Sequence, residues 1–283
     1  MHKSKLLFFL VLLTAFFCNS AQGSGKLHGP IRITSAVLGY DLQYWVYMPE
    51  KVRKPLPELY ITDGQVYLGS GEMVDLLDSE IEKGRIAPVA AIFVDSRDPD
   101  DFEVARRNNE FMCKVDYAKF FLGELMPEIS ANWTGADAST HRGLMGVSFG
   151  AINTACFGMM MPGVFKVLIM QSPASDQHVE VINNLYQEKE PHSSAIFISH
   201  GGPQDNSAAG EQFAQTLKEK GYPVRYVTND GGHDWDNWRP LLDDSLRAFA
   251  GLREEDEIQV EAVNDEIEAE AINNEVEAED VNE

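Results

Sequence analysis

Gly143-Leu144-Met145-Gly146-Val147-Ser148-Phe149-Gly150-Ala151 reads as a short apolar strand, a tight G-x-S-x-G turn and the start of a helix. A turn of this kind lifts a serine hydroxyl above the end of a sheet on a strained backbone. The flanking glycines leave room for the helix to fold back closely on the strand. Ser148 is therefore a candidate nucleophile. A lone motif also fits a serine in an ordinary Gly-rich turn, so its meaning depends on whether the chain supplies a base, an acid and an oxyanion hole.

The segments on either side predict strands alternating with helices. Before the turn, Ile31–Val37 and Leu42–Met48 read as an antiparallel hairpin joined at Gly39-Tyr40-Asp41. Leu59–Thr62 reads as a strand entering Asp63-Gly64-Gln65, followed by a helix over Glu72–Lys83 and a strand over Val89–Val94. A long polar loop through Arg106, Arg107 and Glu110 leads to a helix over Tyr117–Ile129. After the turn, a small-residue helix runs from Ala151 to Met159. Strands over Val167–Met170, Ala195–Ser199 and Val224–Thr228, and helices over Glu211–Lys220 and Trp238–Ala250, complete the body. Apolar strands between helices indicate an α/β fold: a mainly parallel central sheet with helices on both faces and an N-terminal antiparallel hairpin. The site of such a sheet lies beyond the carboxyl ends of its strands.

A serine nucleophile needs a base that titrates near neutrality. His233, in Gly231-Gly232-His233-Asp234-Trp235-Asp236-Asn237-Trp238-Arg239, follows the last strand on a Gly-rich loop. His28, His141, His178 and His192 lie in polar surroundings and read as surface residues, and His200 as a structural or rim histidine at a strand end. The acid that orients the base belongs between residues 148 and 233, after a strand. Asp205 fits, Asp176 is the rival, and Glu211 falls inside a predicted helix. The oxyanion donors are expected to be the backbone N–H groups of Phe149 and Gln65, each worth about 3–4 kcal/mol when well placed. Arg107, Trp235 and Trp238 are candidate substrate-binding residues. Both tryptophans serve equally well to pack the last helix on the sheet.

The ends of the chain differ from its body. Residues 1–23 have a basic start, an apolar run from Leu6 to Phe17 and a small-residue exit, which is the layout of a secretory signal. The apolar run is too short for a spanning helix. Residues 24–252 form the predicted catalytic domain. Residues 253–283 form a repetitive acidic tail expected to be solvated and disordered; from Glu254 to Glu283 it holds 14 acids and no Lys or Arg, which accounts for much of the net charge of −22. Residues 24–253 keep 21 basic and 31 acidic side chains, and a body at −10 argues against nucleic-acid or anionic-membrane partners. Cys113 and Cys156 fit a disulfide or two ordinary thiols, and no metal-ligand spacing occurs.

Tyr60-Ile61-Thr62-Asp63-Gly64-Gln65, the Arg107–Glu110 loop, Glu124-Leu125-Met126-Pro127, Gly146–Gly150, and Gly232-His233-Asp234-Trp235 with Trp238-Arg239 occur in an order and spacing that recur in a known family. Over roughly residues 30 to 250 the chain resembles the esterase family of α/β-hydrolases that includes enterochelin (siderophore) esterases, S-formylglutathione hydrolases, feruloyl esterases and mycolyl transferases. The resemblance implies an α/β-hydrolase fold, Ser148 as nucleophile, His233 as base, an acid at or near Asp205, a small-molecule ester substrate and no cofactor. Ala151 stands where the usual motif ends in a second glycine, a change the turn should tolerate. A strongly anionic catecholate substrate would require Arg106, Arg107 and Arg239 to form a local basic pocket. The expected function is that of an exported serine hydrolase, secreted or periplasmic, working through an acyl-enzyme. The alternatives are an acyltransferase and a catalytically silent binding protein on the same fold.

Overall fold

The computed structural model describes residues 25–50, 52, 54–137 and 140–251. The leader and the acidic tail read from the sequence lie outside the described residues.

Strands β1 (Lys26–Ser35) and β2 (Tyr40–Met48) form the antiparallel hairpin. Its turn comes earlier than the sequence suggests. The Glu124 carboxylate accepts the N–H groups of Ala36 and Val37 at 3.0 and 3.1 Å, drawing them out of the ladder, and Tyr40 and Asp41 join β2 instead. Strand β3 (Glu58–Thr62) leads through a sharp corner into α1 (Gly64–Leu68) and α2 (Met73–Glu82), then β4 (Ala90–Val94). The expected polar loop is more ordered than predicted. It holds a two-stranded hairpin, β5 (Arg97–Asp98) and β6 (Asp101–Ala105), and a helical turn, α3 (Arg107–Glu110). Paired charges brace it: Arg97 makes a two-point contact with Asp95, and Arg106 binds Asp98.

The helical run expected over Tyr117–Ile129 is observed as α4 (Val115–Phe120) and α5 (Met126–Ile129), joined by a wide turn. Strand β7 (Arg142–Val147), α6 (Phe149–Met160) and β8 (Val167–Gln171) follow. An unanticipated helix, α7 (Asp176–Glu188), precedes β9 (Ala195–His200). Its buried Val179, Ile182 and Tyr186 show helical spacing, but the poorly helix-forming Asn183-Asn184 pair interrupts the pattern. Helix α8 (Ser207–Glu219), β10 (Val224–Thr228), α9 (Trp235–Trp238) and α10 (Leu242–Ala250) end the fold. The last helical stretch begins at Trp235, before the expected Trp238, because the Asp234 side chain caps it by accepting from the Asp236 and Asn237 N–H groups.

The main sheet has eight strands in the order β1-β2-β4-β3-β7-β8-β9-β10, antiparallel up to β4 and parallel beyond. Alternation along β3 divides the core: Tyr60 packs into the layer with α4, α6, α7 and α8, while Leu59 and Ile61 enter the layer with α2 and α10. Cys113 and Cys156, which the sequence leaves open, are joined as a disulfide with Cα atoms 4.8 Å apart. It ties the segment after α3 to α6, the helix behind Ser148. Among the described residues, no helix is long and apolar enough to cross a membrane.

Candidate active site

Ser148 stands between β7 and α6 with φ 57° and ψ −121°, a backbone conformation that costs a non-glycine residue about 1–3 kcal/mol. The fold over-determines it. The Ser148 N–H donates to the Gln171 carbonyl at 2.9 Å, and the Ser148 carbonyl accepts from Ala151 at 3.0 Å. Gly146 is required because a Cβ there would lie 2.3 Å from the Gly150 backbone. Ala151 is fully buried in this corner without disturbing it.

The loops after β9 and β10 bring two more of the expected side chains to Ser148. His233 Nε2 is 2.8 Å from Ser148 Oγ, and its Nδ1 is 2.5 Å from Asp205 Oδ1. A single imidazole thus spans hydroxyl and carboxylate, the carboxylate fixing which ring nitrogen carries the proton. Asp205 has no solvent exposure. Its other oxygen accepts from Ser172 Oγ, from the Gly201 N–H at 2.5 Å and from Asn237 Nδ2 at 2.7 Å. Burial alone would raise the Asp205 carboxyl, but the bonds from His233, Ser172 and Gly201 outweigh it and hold its pKa below the ordinary carboxylate range. The rival Asp176 is exposed in the first turn of α7, and Glu211 is exposed on α8; neither touches the imidazole.

Two residues of this network carry no signal in the sequence. Asn237 gives one amide hydrogen to Asp205 and the other to the Gly232 carbonyl at 2.7 Å, so it joins Asp205 to the loop carrying His233. The Ser172 hydroxyl donates a hydrogen bond to Asp205 and accepts from Trp238 Nε1 at 2.8 Å. His200, set aside as structural, is fully buried at the end of β9, where desolvation lowers its pKa.

The third wall is the corner after β3. Asp63 adopts a left-handed conformation with φ 55° and turns the chain so that Gln65 borders the same cavity as Ser148. Phe149 and Gln65 are the first and second residues of α6 and α1, so their N–H groups lack intrahelical acceptors. The Gln65 side chain is tied down through Ser96 Oγ at 3.2 Å. Buried Asp63 pairs with Arg107 Nη2 at 2.9 Å and accepts from Ser96. Desolvation raises the Asp63 carboxyl, against the opposing pull of Arg107 and Ser96. Arg107 also lies 5.7 Å from the rings of Phe111 and Phe149. Arg106 sits over the Tyr40 ring and binds Asp98, and Arg239 binds the Ser70 carbonyl, so the three arginines do not converge into the basic pocket that an anionic substrate would require. Trp235 and Trp238 pack edge to face and line the cavity with Val66 and Val147. Among the described residues no group of three His, Cys, Asp or Glu side chains is arranged to hold a metal ion.

The sheet order, the elbow serine and the carboxyl-end loops define an α/β-hydrolase, and its class is carboxylic ester hydrolase. The family model described as "Putative esterase" matches residues 35–249, and the chain belongs to that family. It is similar to the "Uncharacterized protein YjcH" of Bacillus subtilis (strain 168), with 24% identity over 229 residues that cover 75% of this chain and 93% of that protein. The "Iron(III) salmochelin esterase" of Escherichia coli O6:H1 is 22% identical over 254 residues, 82% of this chain and 59% of that protein. The crystal structure of the enterobactin esterase from Shigella flexneri in the presence of enterobactin superposes with a TM-score of 0.68 at 21% identity, covering 78% of this chain and 57% of that one.

Proposed function

We propose that this protein hydrolyses carboxylic esters through an acyl-enzyme on Ser148. His233 takes the hydroxyl proton as Oγ attacks the ester carbonyl, then returns it to the departing alcohol. A water deprotonated by the same imidazole releases the acid. Asp205 stays ionised and holds the ring in the tautomer that accepts from Ser148 and stabilises the imidazolium. The N–H groups of Phe149 and Gln65 hold the tetrahedral oxyanion, aided by the positive end of α6. The observation that carries this reading is the single imidazole, 2.8 Å from Ser148 Oγ and 2.5 Å from Asp205. The Cys113–Cys156 disulfide and the leader-like residues 1–23 support an exported protein working in an oxidising compartment.

The test is release of p-nitrophenol from the acetate and butyrate esters, with fluorophosphonate labelling alongside. Both should disappear in Ser148→Ala. Hydrolysis that survives this substitution would overturn the assignment. Labelling of Ser148 followed by transfer to an added alcohol in preference to water would move the reading to an acyltransferase.

A further inference from the structure

The cavity beside Ser148 has a volume of about 210 Å³. Sites for drug-sized ligands run from about 300 Å³ upward, and a cavity of about 150 Å³ holds a benzene ring. The cavity opens to solvent on one side, and the part its walls enclose suits one ring with a small substituent, or a short aliphatic chain. Its walls do not yield easily. Val147 is 3% exposed at the end of β7. Trp238 is anchored by its indole N–H on Ser172, and Trp235 packs edge-on against both Trp238 and Tyr67.

Charge restricts the occupant further. Among the described residues Arg107 is the one Lys or Arg lining this cavity, and Asp63, 3% exposed, neutralises it at 2.9 Å. Nearby arginines are committed in the same way: Arg97 to Asp95, Arg106 to Asp98 and the Asp41 carbonyl, and Arg239 to the Ser70 carbonyl with Glu72 3.9 Å away. An anionic group entering the cavity would lose its hydration, meet an already paired guanidinium and approach the Asp63 carboxylate. Outside, a body carrying ten more acidic than basic side chains repels it on approach.

We infer that the acyl site takes the uncharged acyl part of a carboxylic ester, no larger than a single substituted ring or a short chain, seated against Trp235 and Trp238, and that it discriminates against anionic and long-chain acyl groups. This rests on the acyl-enzyme reading above. It separates the chain from the relatives named for siderophore esters, whose name it would otherwise inherit.

The full chain is to be assayed with p-nitrophenyl esters of one leaving group: butyrate, benzoate, decanoate, 4-carboxybenzoate and its neutral, slightly larger methyl ester. Butyrate and benzoate should have the highest kcat/KM. Decanoate and 4-carboxybenzoate should fall at least tenfold below benzoate, and the neutral methyl ester should exceed the 4-carboxybenzoate. In Trp235→Ala the preference should move toward decanoate. Carboxybenzoate turnover within threefold of its methyl ester, a kcat/KM that climbs with chain length, or hydrolysis of a ferric tris-catecholate trilactone as fast as butyrate would each overturn the inference. Those failures keep Ser148-dependent turnover and the underlying reading intact. Absence of turnover of every ester together with absence of fluorophosphonate labelling removes both.

Discussion

Replacing Asn237 by aspartate changes one atom group in a side chain that is 1% exposed. If Asn237 served only to fill space, the isosteric change would be mild. In the structure its amide nitrogen is 2.7 Å from the Asp205 carboxylate and 2.7 Å from the Gly232 carbonyl. Asn237→Asp therefore sets an oxygen against two acceptors. Two carboxylates at 2.7 Å repel by about 6 kcal/mol at an effective dielectric constant of 20. The protein will avoid this by keeping one proton on the pair, so the folded pKa of that group lies above its unfolded value near 4. Folding then takes up a proton. The variant, whose protonated carboxyl keeps one of the two donated bonds, should come closest to the parent below about pH 4 and lose stability at about 1.4 kcal/mol per pH unit from there to the raised pKa. Activity should fall at least tenfold at pH 8, where Gly232 and Asp205 are no longer bridged. Asn237→Ala, which removes the donor without adding charge, should cost about 1.5–3 kcal/mol with little dependence on pH. Urea unfolding and kcat/KM at pH 5, 7 and 8.5 test this directly. An aspartate variant with parental stability and activity at pH 8.5 would refute the argument that Asn237 acts as a donor to Asp205.

Other outcomes follow from the same geometry. Asp205→Asn should lower kcat by about 10³–10⁴, since the imidazole loses the acceptor that fixes its tautomer, whereas Asp176→Asn should stay within a factor of two; esterase kinetics on both variants decide between them. Glu110 is buried and its carboxyl is pushed up to about 8 by desolvation. It takes up a proton on folding, so its stability cost appears as pH rises above the usual carboxylate range and is complete near pH 8. Glu110→Gln should be neutral at pH 4.5 and stabilising by an upper limit of about 5 kcal/mol above pH 8, as read from denaturant midpoints. The Cys113–Cys156 bridge spans 43 residues of sequence, a loop whose closure restricts the unfolded chain by about 4 kcal/mol. Reduction with dithiothreitol should lower Tm, and the double Cys→Ser variant should show the same loss without reductant.

Most of the frame was legible because its signals are local. The elbow at Ser148, the Gly-rich turn before His233 and the apolar strands each depend on a few consecutive residues whose periodicity or turn chemistry shows in the chain. What escaped was set by contacts distant in sequence. The hairpin turn shifted because Glu124 reaches Ala36 and Val37, 88 and 87 residues away. Order in the segment through Arg106 comes from ion pairs that composition alone presents as a polar loop. Arg107 reads in the sequence as a candidate substrate-binding residue, yet it is committed to Asp63, a residue that reads only as part of a turn.

The segment after His233 shows how local and distant information meet. Its Trp-Asp-Asn-Trp run could serve a substrate or the packing of a helix, and sequence offers no way to choose. Once Asp234 caps α9, Asn237 and Trp238 are carried to Asp205 and Ser172, while Trp235 stays at the cavity wall. The short helix thus has two tasks. Its end locks Asp205 to the loop carrying His233, and its start shapes the space beside Ser148. Trp238 takes part in both, since its indole N–H supports Ser172 and its ring lies edge-on to His233 at 5.0 Å. Changes at Trp235 should therefore alter which ester is taken, and changes at Asn237 how well the carboxylate is held, whereas changes at Trp238 cannot separate the two.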